Sequence, residues 1–555
     1  MKKLLTLALA LAMVLTCVPA FAEVTTNKAG EFPITSEKVT FDVWIEGGSD
    51  TDWTNNGWLK ETEEITNIAI NVIPSSSADA VTKRNLLLAS GEYPDMFLTD
   101  WPAVFTQADV MQFGVKEEIL VPITPFLEEY GKEINEIFEY NPTFKLTSTA
   151  PNGEIYGVAR FSECFHCSAY PKMYMRQDWL DKLGLKMPTT TEELREVLKA
   201  FVTQDPNGNG EADEIGLTGA TTWNTMLEYC LIGWSFQNVK PDFWLYLDEA
   251  GEVAFAPATE AYREGLRYVK SLYDEGLIDP AAFSQKDDQM AQTIRQDPKI
   301  VGAYVCDHVG MGASNADYEE SKNYQIVLPV AGPSGFQRQP QNANEGEVQG
   351  FHGVITDACE YPEAAFRWLD YQLSEESMVK KGWGKEGVGW EVAPEGTLDL
   401  FGNPAKYVRL PTDETANPEA YKANSEYSFG IGPQADLADR RLSQLPMVDD
   451  VYLTENYEQR ITLDTVPLVD FIDPVRLPST LFVAEEDSDK FNEIKTNLKD
   501  FVRKTCVQFI IGERDIENGW DAYLSELKNF EMERYVEIYS NAYKAAAQTP
   551  APAAE

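Results

Sequence analysis

The hydrophobic residues near the start of the chain follow two spacings that alternate along the sequence. Residues 39–45 (VTFDVWI) have the composition of a strand, and apolar runs at 67–73 and 94–98 predict two more. Helical spacing covers the intervening residues 58–66 and 78–90. This alternation predicts an α/β fold, with a parallel sheet covered by helices on both faces.

Helical periodicity returns further along the chain. A capping box at its N-terminal end predicts a helix over residues 189–201, and an apolar face recurs through residues 262–273. Another helix is predicted from residue 362 to 373. Because Trp179 and Trp368 lie within amphipathic helices, we expect both side chains in hydrophobic cores.

The length and composition indicate a large folded protein. The chain has 555 residues, of which 43% are hydrophobic, and it contains 12 tryptophans. This length indicates about three to four average domains or two large lobes. The formal net charge of −44 makes nucleic acids and anionic membrane surfaces poor partners, because they carry the same sign of charge.

The first 22 residues have the organisation of a secretory signal peptide. Lys2 and Lys3 precede an apolar stretch over residues 4–18, and Ala20-Phe21-Ala22 forms a cleavage site of the A-x-A type. The apolar stretch is shorter than the ~20 residues of a membrane span. We expect free secretion after cleavage. A lipid anchor at Cys17 is the alternative, although the small residues of a lipobox do not precede it.

Six cysteines follow this segment, an even number that permits disulfides in an exported protein. The pair in Cys164-Phe-His-Cys167 does not have the spacing of a haem or zinc motif. A local disulfide and a pair of buried thiols both remain compatible with the sequence.

Residues 203–219 (TQDPNGNGEADEIGLTG) place oxygen-bearing side chains at alternate positions around glycines. They match the EF-hand calcium loop through its sixth position, but Gly216 occupies the position of the final bidentate Glu. Two alternatives follow: a solvated polar turn, or a cation site in which Asp213 and Glu214 replace the missing carboxylate.

Several longer segments together resemble one protein family. In chain order they are GEYPDMF (91–97), LVPITPFLEEYGKEI (120–134), GEIYGVAR (153–160), YMRQDWLDKLGLKMPTTTEEL (174–194), the 203–219 loop, YVKSLYDEGLIDP (268–280) and the C-terminal segment 509–545. Their order and content are similar to the extracellular solute-binding proteins of sugar ABC transporters. The resemblance is to the large lipoprotein-like subgroup, which includes alginate-binding members.

The resemblance implies a two-lobed, periplasmic-binding-protein-like α/β fold of type II, with a ligand cleft between discontinuous lobes. The implied organisation is a linker at 23–37, a first lobe at 38–158 and 326–395, a second lobe at 159–325 and 396–544, and a disordered tail at 545–555. It also implies a structural Ca²⁺ site in residues 205–214 of the second lobe. The implied ligands are the side chains of Asp205, Asn207, Asn209, Asp213 and Glu214 and the carbonyl of Glu211.

Candidate ligand-binding residues follow from the predicted strands, because open α/β sheets bind ligands beyond the carboxyl ends of their strands. Two further tryptophans lie in the glycine-rich segment 382–391, where few neighbours from their own segment pack against them. The candidates are Glu46, Asp100, Trp101, Arg160, Trp223, Asp307, His308, Trp383 and Trp390.

The implied function is capture of a soluble oligosaccharide and its delivery to the membrane permease of an ABC importer, by a monomeric protein that is not an enzyme. The negative charge and the single arginine among the candidates favour a neutral sugar. A secreted glycoside hydrolase that uses a carboxylate pair is the alternative. Hydrolases with a catalytic histidine have only three histidines available, and no G-x-S-x-G or H-E-x-x-H motif occurs.

Overall fold

The computed structural model describes the chain in segments. They are residues 24–47, 52–100, 103–222, 225–235, 243–314, 316–340, 346–410, 412, 414, 417–437, 443–473 and 475–548. Among these residues, we find no helix with the length and apolar character needed to cross a membrane.

A five-stranded sheet forms the centre of the first lobe. Its strands, in spatial order, are β2 (Ile68–Ser75), β1 (Val39–Glu46), β3 (Met96–Leu98), β12 (Phe351–Ile355) and β4 (Val158–Ala159). Strands β1, β2 and β3 are parallel, whereas β12 pairs in antiparallel fashion with both β3 and β4. The carboxyl ends of β1, β3 and β4 therefore share one edge of the sheet.

A four-stranded sheet forms the centre of the second lobe. Its strands are β11 (Tyr324–Val327), β6 (Lys172–Arg176), β10 (Val301–Cys306) and β7 (Ile215–Thr218). Only β6 is antiparallel to its neighbours, so β7, β10 and β11 end at the same edge. Three small pairs complete the strands: β5 (Phe161–Ser162) with β15 (Ala435–Asp436), β8 (Leu245–Leu247) with β9 (Val253–Phe255), and β13 (Trp390–Val392) with β14 (Tyr407–Arg409).

Helices cover the sheets of both lobes. Their bounds up to β10 are α1 Gly57–Thr66, α2 Ala80–Ser90, α3 Gln107–Val110, α4 Leu127–Tyr130, α5 Glu133–Tyr140, α6 Pro142–Ser148, α7 Phe165–Ser168, α8 Gln177–Leu183, α9 Thr191–Thr203, α10 Met226–Cys230, α11 Glu260–Asp274 and α12 Asp287–Arg295. Those after β10 are α13 Tyr318–Asn323, α14 Pro362–Tyr371, α15 Glu375–Trp383, α16 Pro418–Tyr427, α17 Tyr457–Thr465, α18 Glu485–Ile510, α19 Ile516–Asn529 and α20 Met532–Gln548. The α/β class predicted from the sequence is confirmed.

Each lobe has its own hydrophobic core. In the first, the buried ring of Trp368 lies edge-on to Trp58, with 6.0 Å between ring centroids, and Phe429 stacks on Trp58 at 4.9 Å. In the second, Trp179 packs edge-on against Phe201 at 5.3 Å. The prediction that Trp179 and Trp368 are core residues is confirmed, since their exposed fractions are 2% and 0%.

The lobe boundaries expected from the resemblance are wrong at several places. Residues 326 and 327 belong to β11 and hence to the second lobe, not the first. Phe429 and Ile431, expected in the second lobe, are buried in the first core. The reason is that α16 and the segment after it pack against the first lobe. Because this contact joins residues far apart in sequence, no local sequence pattern indicates it.

The expected linker and tail are also more ordered than predicted. Ile34 is fully buried in the first core, and the guanidinium of Arg367 donates to the carbonyls of Asn27 and Glu31, each at 2.9 Å. Residues 24–37 are therefore part of the first lobe. At the other end, α20 continues through residues 545–548 of the expected tail, and residues 549–555 lie outside the described residues.

Three chain segments meet where the lobes join. The backbone N–H of Gln339 donates to the carbonyl of Phe471 at 2.9 Å, and its side-chain amide donates to the carbonyl of Pro171 at 2.9 Å. Tyr170 donates its backbone N–H to the carbonyl of Pro340 at 3.2 Å. These bonds hold the three segments together.

Trp368→Ala should lower the free energy of unfolding by about 3 to 5 kcal/mol, because it leaves a large cavity in the first core. Leu86→Ala is the matched control, since Leu86 is 66% exposed on α2. That change should cost less than about 0.5 kcal/mol. Denaturant titration measures both values, and equal losses would contradict the core assignment of Trp368.

Candidate functional site

The candidates of the first lobe lie together at the carboxyl edge of its sheet. Glu46 ends β1, and its carboxylate accepts the backbone N–H of Asp100 at 3.1 Å. Burial is the main cause that raises the pKa of Glu46, and the nearby charge of Asp100 adds to the rise. Since Glu46 is only 5% exposed, it fixes the turn after β3 and is not itself open to a ligand.

Arg160 follows β4 and is held from behind by a histidine on β12. The backbone N–H of Arg160 donates to Nδ1 of His352 at 3.1 Å, which requires that nitrogen to be unprotonated. Burial, and then the charge of Arg160, lowers the pKa of His352 to about 3. His352 is therefore a neutral acceptor at neutral pH, a role that the sequence did not reveal.

The second lobe contributes Asp307 and His308, which follow β10. The buried ammonium of Lys172 donates to the carbonyls of Asp307 and His166 at 2.8 and 2.5 Å, and lies 3.6 Å from the carboxylate of Asp307. Burial lowers the pKa of Lys172 and that of His308. The ring of His308 hydrogen-bonds Tyr457 Oη and lies 6.3 Å from the ring of His166.

A cavity of about 310 Å³ opens between helix α15 of the first lobe and helix α17 of the second. Two predicted residues, Arg160 and Trp383, line it directly. The other lining residues are Phe165, His166, Met378, Gly382, Arg409, Gln434, Asp436, Gln444, Leu445, Glu458 and Thr462. Asp307 and His308 lie behind its second-lobe wall, where they contact Lys172 and the ring of His166.

Trp383 ends α15, and its ring lies 5.9 Å from the guanidinium of Arg409 on β14. Trp390 differs from the expectation that it stacks on a ligand. It is 6% exposed, its indole N–H donates to the carbonyl of Gly384 at 2.8 Å, and its ring packs edge-on against Tyr407. The indole N–H and the ring of Trp390 both have partners within residues 384–409. Tyr407 also lies edge-on to Trp383 at 6.5 Å, so the two tryptophans share this neighbour.

Several lining residues were missed because they come from segments distant in sequence. His166 and Phe165 lie on α7, Glu458 on α17 and Arg409 on β14. The strand-end rule finds residues after central strands but not those on short helices and hairpins. Trp101 and Trp223 lie outside the described residues, and the neighbouring Thr221 faces a separate, more apolar pocket.

A disulfide joins Cys164, the residue before helix α7, to Cys167 within the helix. This decides between the two alternatives left open for this pair. The other cysteines of the described residues, Cys230, Cys306, Cys359 and Cys506, are free and buried.

The acidic loop before β7 is folded around its own oxygens. Asp205 accepts the backbone N–H groups of Gly208 and Gly210 at 2.8 and 3.1 Å. The Asn209 amide donates to both carboxylate oxygens of Asp213, at 3.2 and 3.1 Å, and the Asn207 amide donates to one of them at 3.2 Å. Asp205, Gly208 and Gly210 have positive φ, which bends the chain back on itself.

Glu214 is the observation that fits a cation in this loop. Its Oε1 is buried with no hydrogen-bond partner. Burial raises the pKa of Glu214, and the charges of Asp205 and Asp213 raise it further. A divalent cation would neutralise this repulsion and coordinate the orphaned oxygen. On the outer side, Lys182 donates to the carbonyl of Pro206 at 2.7 Å, so its ammonium covers only the back of the loop.

The sequence profile of a family described as bacterial extracellular solute-binding proteins matches residues 47–379, more than half of the chain. The chain belongs to this family. The solute-binding protein is similar to the fructooligosaccharide ABC transporter substrate-binding protein FusA of Streptococcus pneumoniae serotype 4. The two are 29% identical over 492 residues, which cover 87% of this chain and 86% of FusA.

Solved structures show the same fold. S. pneumoniae FusA in complex with kestose aligns with a TM-score of 0.66 at 24% identity, covering 92% of this chain and 100% of that one. An EF-hand mutant of FusA in complex with fructo-nystose gives the same values. A solute-binding protein from Bifidobacterium longum infantis, described as HMO-binding, aligns with a TM-score of 0.72 at 21% identity, covering 92% and 99% of the two chains. The predicted family and two-lobed fold are confirmed.

His352→Asn should make stability less sensitive to acid. The pKa of His352 is about 3 in the folded protein, against an ordinary value of 6.5, so the unfolded chain binds one more proton between these pH values. Stability conferred by the neutral imidazole is complete above pH 6.5 and is lost as the pH falls toward 3. Asparagine retains an acceptor for the Arg160 N–H but does not titrate.

Unfolding free energies measured from pH 7 to pH 4 test this expectation. The slope for the wild type should exceed that of His352→Asn by about 1 kcal/mol per pH unit. Parallel curves for the two proteins would show that His352 is not the buried titrating group.

Proposed function

We propose that this solute-binding protein captures an oligosaccharide between its lobes and delivers it to the membrane permease of an ABC importer. It acts outside the cytoplasm, as a monomer. Residues 1–22, which lie outside the described residues, serve as the signal peptide. Sequencing of the mature N-terminus tests this part: Glu23 is expected, and a blocked Cys17 would indicate the lipid anchor.

The cavity between α15 and α17 is the observation that carries the proposal. Sugars present apolar C–H faces that pack on aromatic rings, and hydroxyl groups that need polar partners around the ring edge. Trp383 supplies a half-buried aromatic surface. Around it, Arg160, Gln434, Gln444 and Glu458 supply donors and acceptors from both lobes. Closure of the lobes would bring these two sets of groups together on one ligand.

The charges that line the cavity favour a neutral ligand. Arg160 and Arg409 are balanced by Asp436 and Glu458, two cations against two carboxylates. An anionic sugar chain would need an excess of cations there. The similarity to FusA also supports a neutral sugar as the ligand. A fructooligosaccharide is therefore the first ligand to test.

The glycoside-hydrolase alternative is not favoured, because the family to which the chain belongs consists of solute-binding proteins. Incubation with neutral oligosaccharides and an assay for new reducing ends separates capture from hydrolysis. Turnover would overturn the proposal.

Trp383→Ala should weaken binding of kestose, the fructose oligosaccharide named above, by about 1 to 3 kcal/mol through loss of a stacking surface. Isothermal titration of the wild type should give a Kd on the order of micromolar or tighter. Trp390→Ala should weaken binding less and lower stability more, because Trp390 is buried against Tyr407 and does not line the cavity. Saturable binding of polyuronates, with none for neutral sugars, would contradict the neutral ligand.

We further propose a structural Ca²⁺ in the loop 205–214, held by Asp205, Asn207, Asn209, Asp213, Glu214 and the carbonyl of Glu211. The orphaned Glu214 oxygen supports it, as does the EF-hand of FusA, of which a mutant has been solved. The loop enters the amino end of β7, whereas the cleft lies at the carboxyl end. Bound Ca²⁺ should therefore affect stability far more than ligand affinity.

Removal of Ca²⁺ with a chelator should lower the Tm, and 10 mM Ca²⁺ should restore about 1 to 3 kcal/mol of stability for a Kd of ~10⁻⁴ to 10⁻³ M. Asp205→Ala should abolish most of this response. Asp248→Ala is the matched control, since the Asp248 carboxylate also accepts two backbone N–H groups in a turn, at 2.9 and 3.0 Å. An unchanged Tm on chelation would show that the loop is a polar turn that binds no Ca²⁺.

A further inference from the structure

We propose that reduction of the Cys164–Cys167 disulfide converts helix α7 into a binding site for a soft metal ion of the Zn²⁺ type, on the second-lobe wall of the cavity. The ligands are the two thiolates and the imidazole of His166. The potential ligand atoms of these three residues lie within 4.8 Å of one another. Among the described residues, this is the one such group of histidine, cysteine and acidic side chains.

The distances around His166 match those of a tetrahedral metal site. Zn–S and Zn–N bonds of about 2.3 and 2.0 Å place adjacent sulfur and nitrogen ligands about 3.5 Å apart in a tetrahedron. The Sγ atom of Cys164 lies 3.6 Å from Nδ1 and 3.5 Å from Nε2 of His166. The imidazole is therefore already at a ligand's distance from one sulfur, whereas the two sulfurs must separate to about 3.8 Å after reduction to share one metal.

The surroundings fix the imidazole and the turn. A carboxylate oxygen of Glu458 lies 3.9 Å from Nδ1 of His166, where it favours a proton on Nδ1, and Nε2 is the nitrogen nearer to the sulfur of Cys164. Lys172 holds the carbonyl of His166 from behind at 2.5 Å. Because His166 and Glu458 also line the cavity, the fourth coordination position faces the space between the lobes.

The sulfur chemistry requires an external dithiol reductant. Its thiolate attacks one sulfur of the disulfide and forms a mixed disulfide, which its second thiol resolves. The reductant leaves as a cyclic disulfide, and Cys164 and Cys167 have gained two electrons and two protons. The divalent ion then replaces the two thiol protons, which pass to solvent. In the oxidised protein Cys164 and Cys167 offer no thiolate, so the site is absent.

Cd²⁺ is a suitable probe, because its thiolate complexes have an ultraviolet charge-transfer absorption that carboxylates do not produce. The full-length protein is reduced with a dithiol, freed of reductant without air and titrated with Cd²⁺ in excess Ca²⁺. We expect one equivalent of absorbing complex, release of two protons, and no such complex in the oxidised protein. A large excess of Zn²⁺ should displace Cd²⁺ and remove the absorption, because thiolates bind the softer Cd²⁺ more tightly.

Substitutions of the proposed ligands test what each contributes to metal binding. Cys164→Ser/Cys167→Ser retains the four buried cysteines and should lose the absorption completely. His166→Ala should weaken Cd²⁺ binding at least tenfold, whereas Glu458→Gln should weaken it by only a few fold. Circular dichroism confirms that each variant is folded, and the oxidised wild type is a control that needs no substitution.

Three outcomes would overturn the proposal. They are equal absorption in the oxidised and reduced wild type, absorption that persists in the double serine variant, and an unchanged affinity in His166→Ala. The last would show chelation by two thiols alone, without the three-residue site.

Discussion

A buried carboxylate at the junction of the lobes fixes the arrangement on which the cleft depends. The side chain of Glu347 is fully buried and accepts the N–H of Ser479 at 2.7 Å, its hydroxyl at 3.0 Å and the hydroxyl of Thr480 at 3.1 Å. Arg476 lies 3.6 Å away. Burial of an uncompensated charge costs several kcal/mol, so these donors determine where the chain can run.

The consequences of this contact reach both lobes. Next to Glu347, the N–H of Val348 donates to the Thr147 hydroxyl of α6 in the first lobe at 3.0 Å. Beside Ser479, the carbonyl of Pro478 accepts the hydroxyl of Tyr539 from the C-terminal helix α20 at 2.7 Å. One buried charge therefore connects the first lobe, the crossing segments and the helices of the second lobe.

Local sequence predicts the regular elements well, because their causes are local. The strand predicted at 39–45 is Val39–Glu46, and the helix predicted at 58–66 is Gly57–Thr66. The lobe boundaries depend instead on contacts between distant residues. The stacking of Phe429 on Trp58 joins positions far apart in sequence, and neither residue's neighbours indicate it. The resemblance to a family therefore predicts only approximately which residues of the later chain pack on the first lobe.

The same distinction divides the candidate site. The rule of strand ends predicted five of the described candidates: Glu46, Asp100, Arg160, Asp307 and His308. The structure places them at the carboxyl edges of the two sheets, although Glu46 is too buried to contact a ligand directly. Arg409 and Glu458 come from a hairpin and a helix, and their approach depends on tertiary packing. The glycines around Trp390 suggested an open ring, but the Gly384 carbonyl and Tyr407 satisfy it internally.

The net charge of the protein and the charges that line the cavity act over different distances. The formal charge of −44 keeps the molecule soluble and repels polyanions at long range, but screening limits this field to about 8 to 10 Å at physiological ionic strength. Within the cavity, the cations of Arg160 and Arg409 face the carboxylates of Asp436 and Glu458 at short range. The hydroxyl groups of the proposed neutral sugar would pair with all four charged groups. The two thiolates of the proposed metal site would neutralise the charge of a bound dication, so reduction and metal binding would leave the net charge of this wall unchanged. The effect on the ligand would therefore be steric and local, through the groups that the wall presents to the cavity.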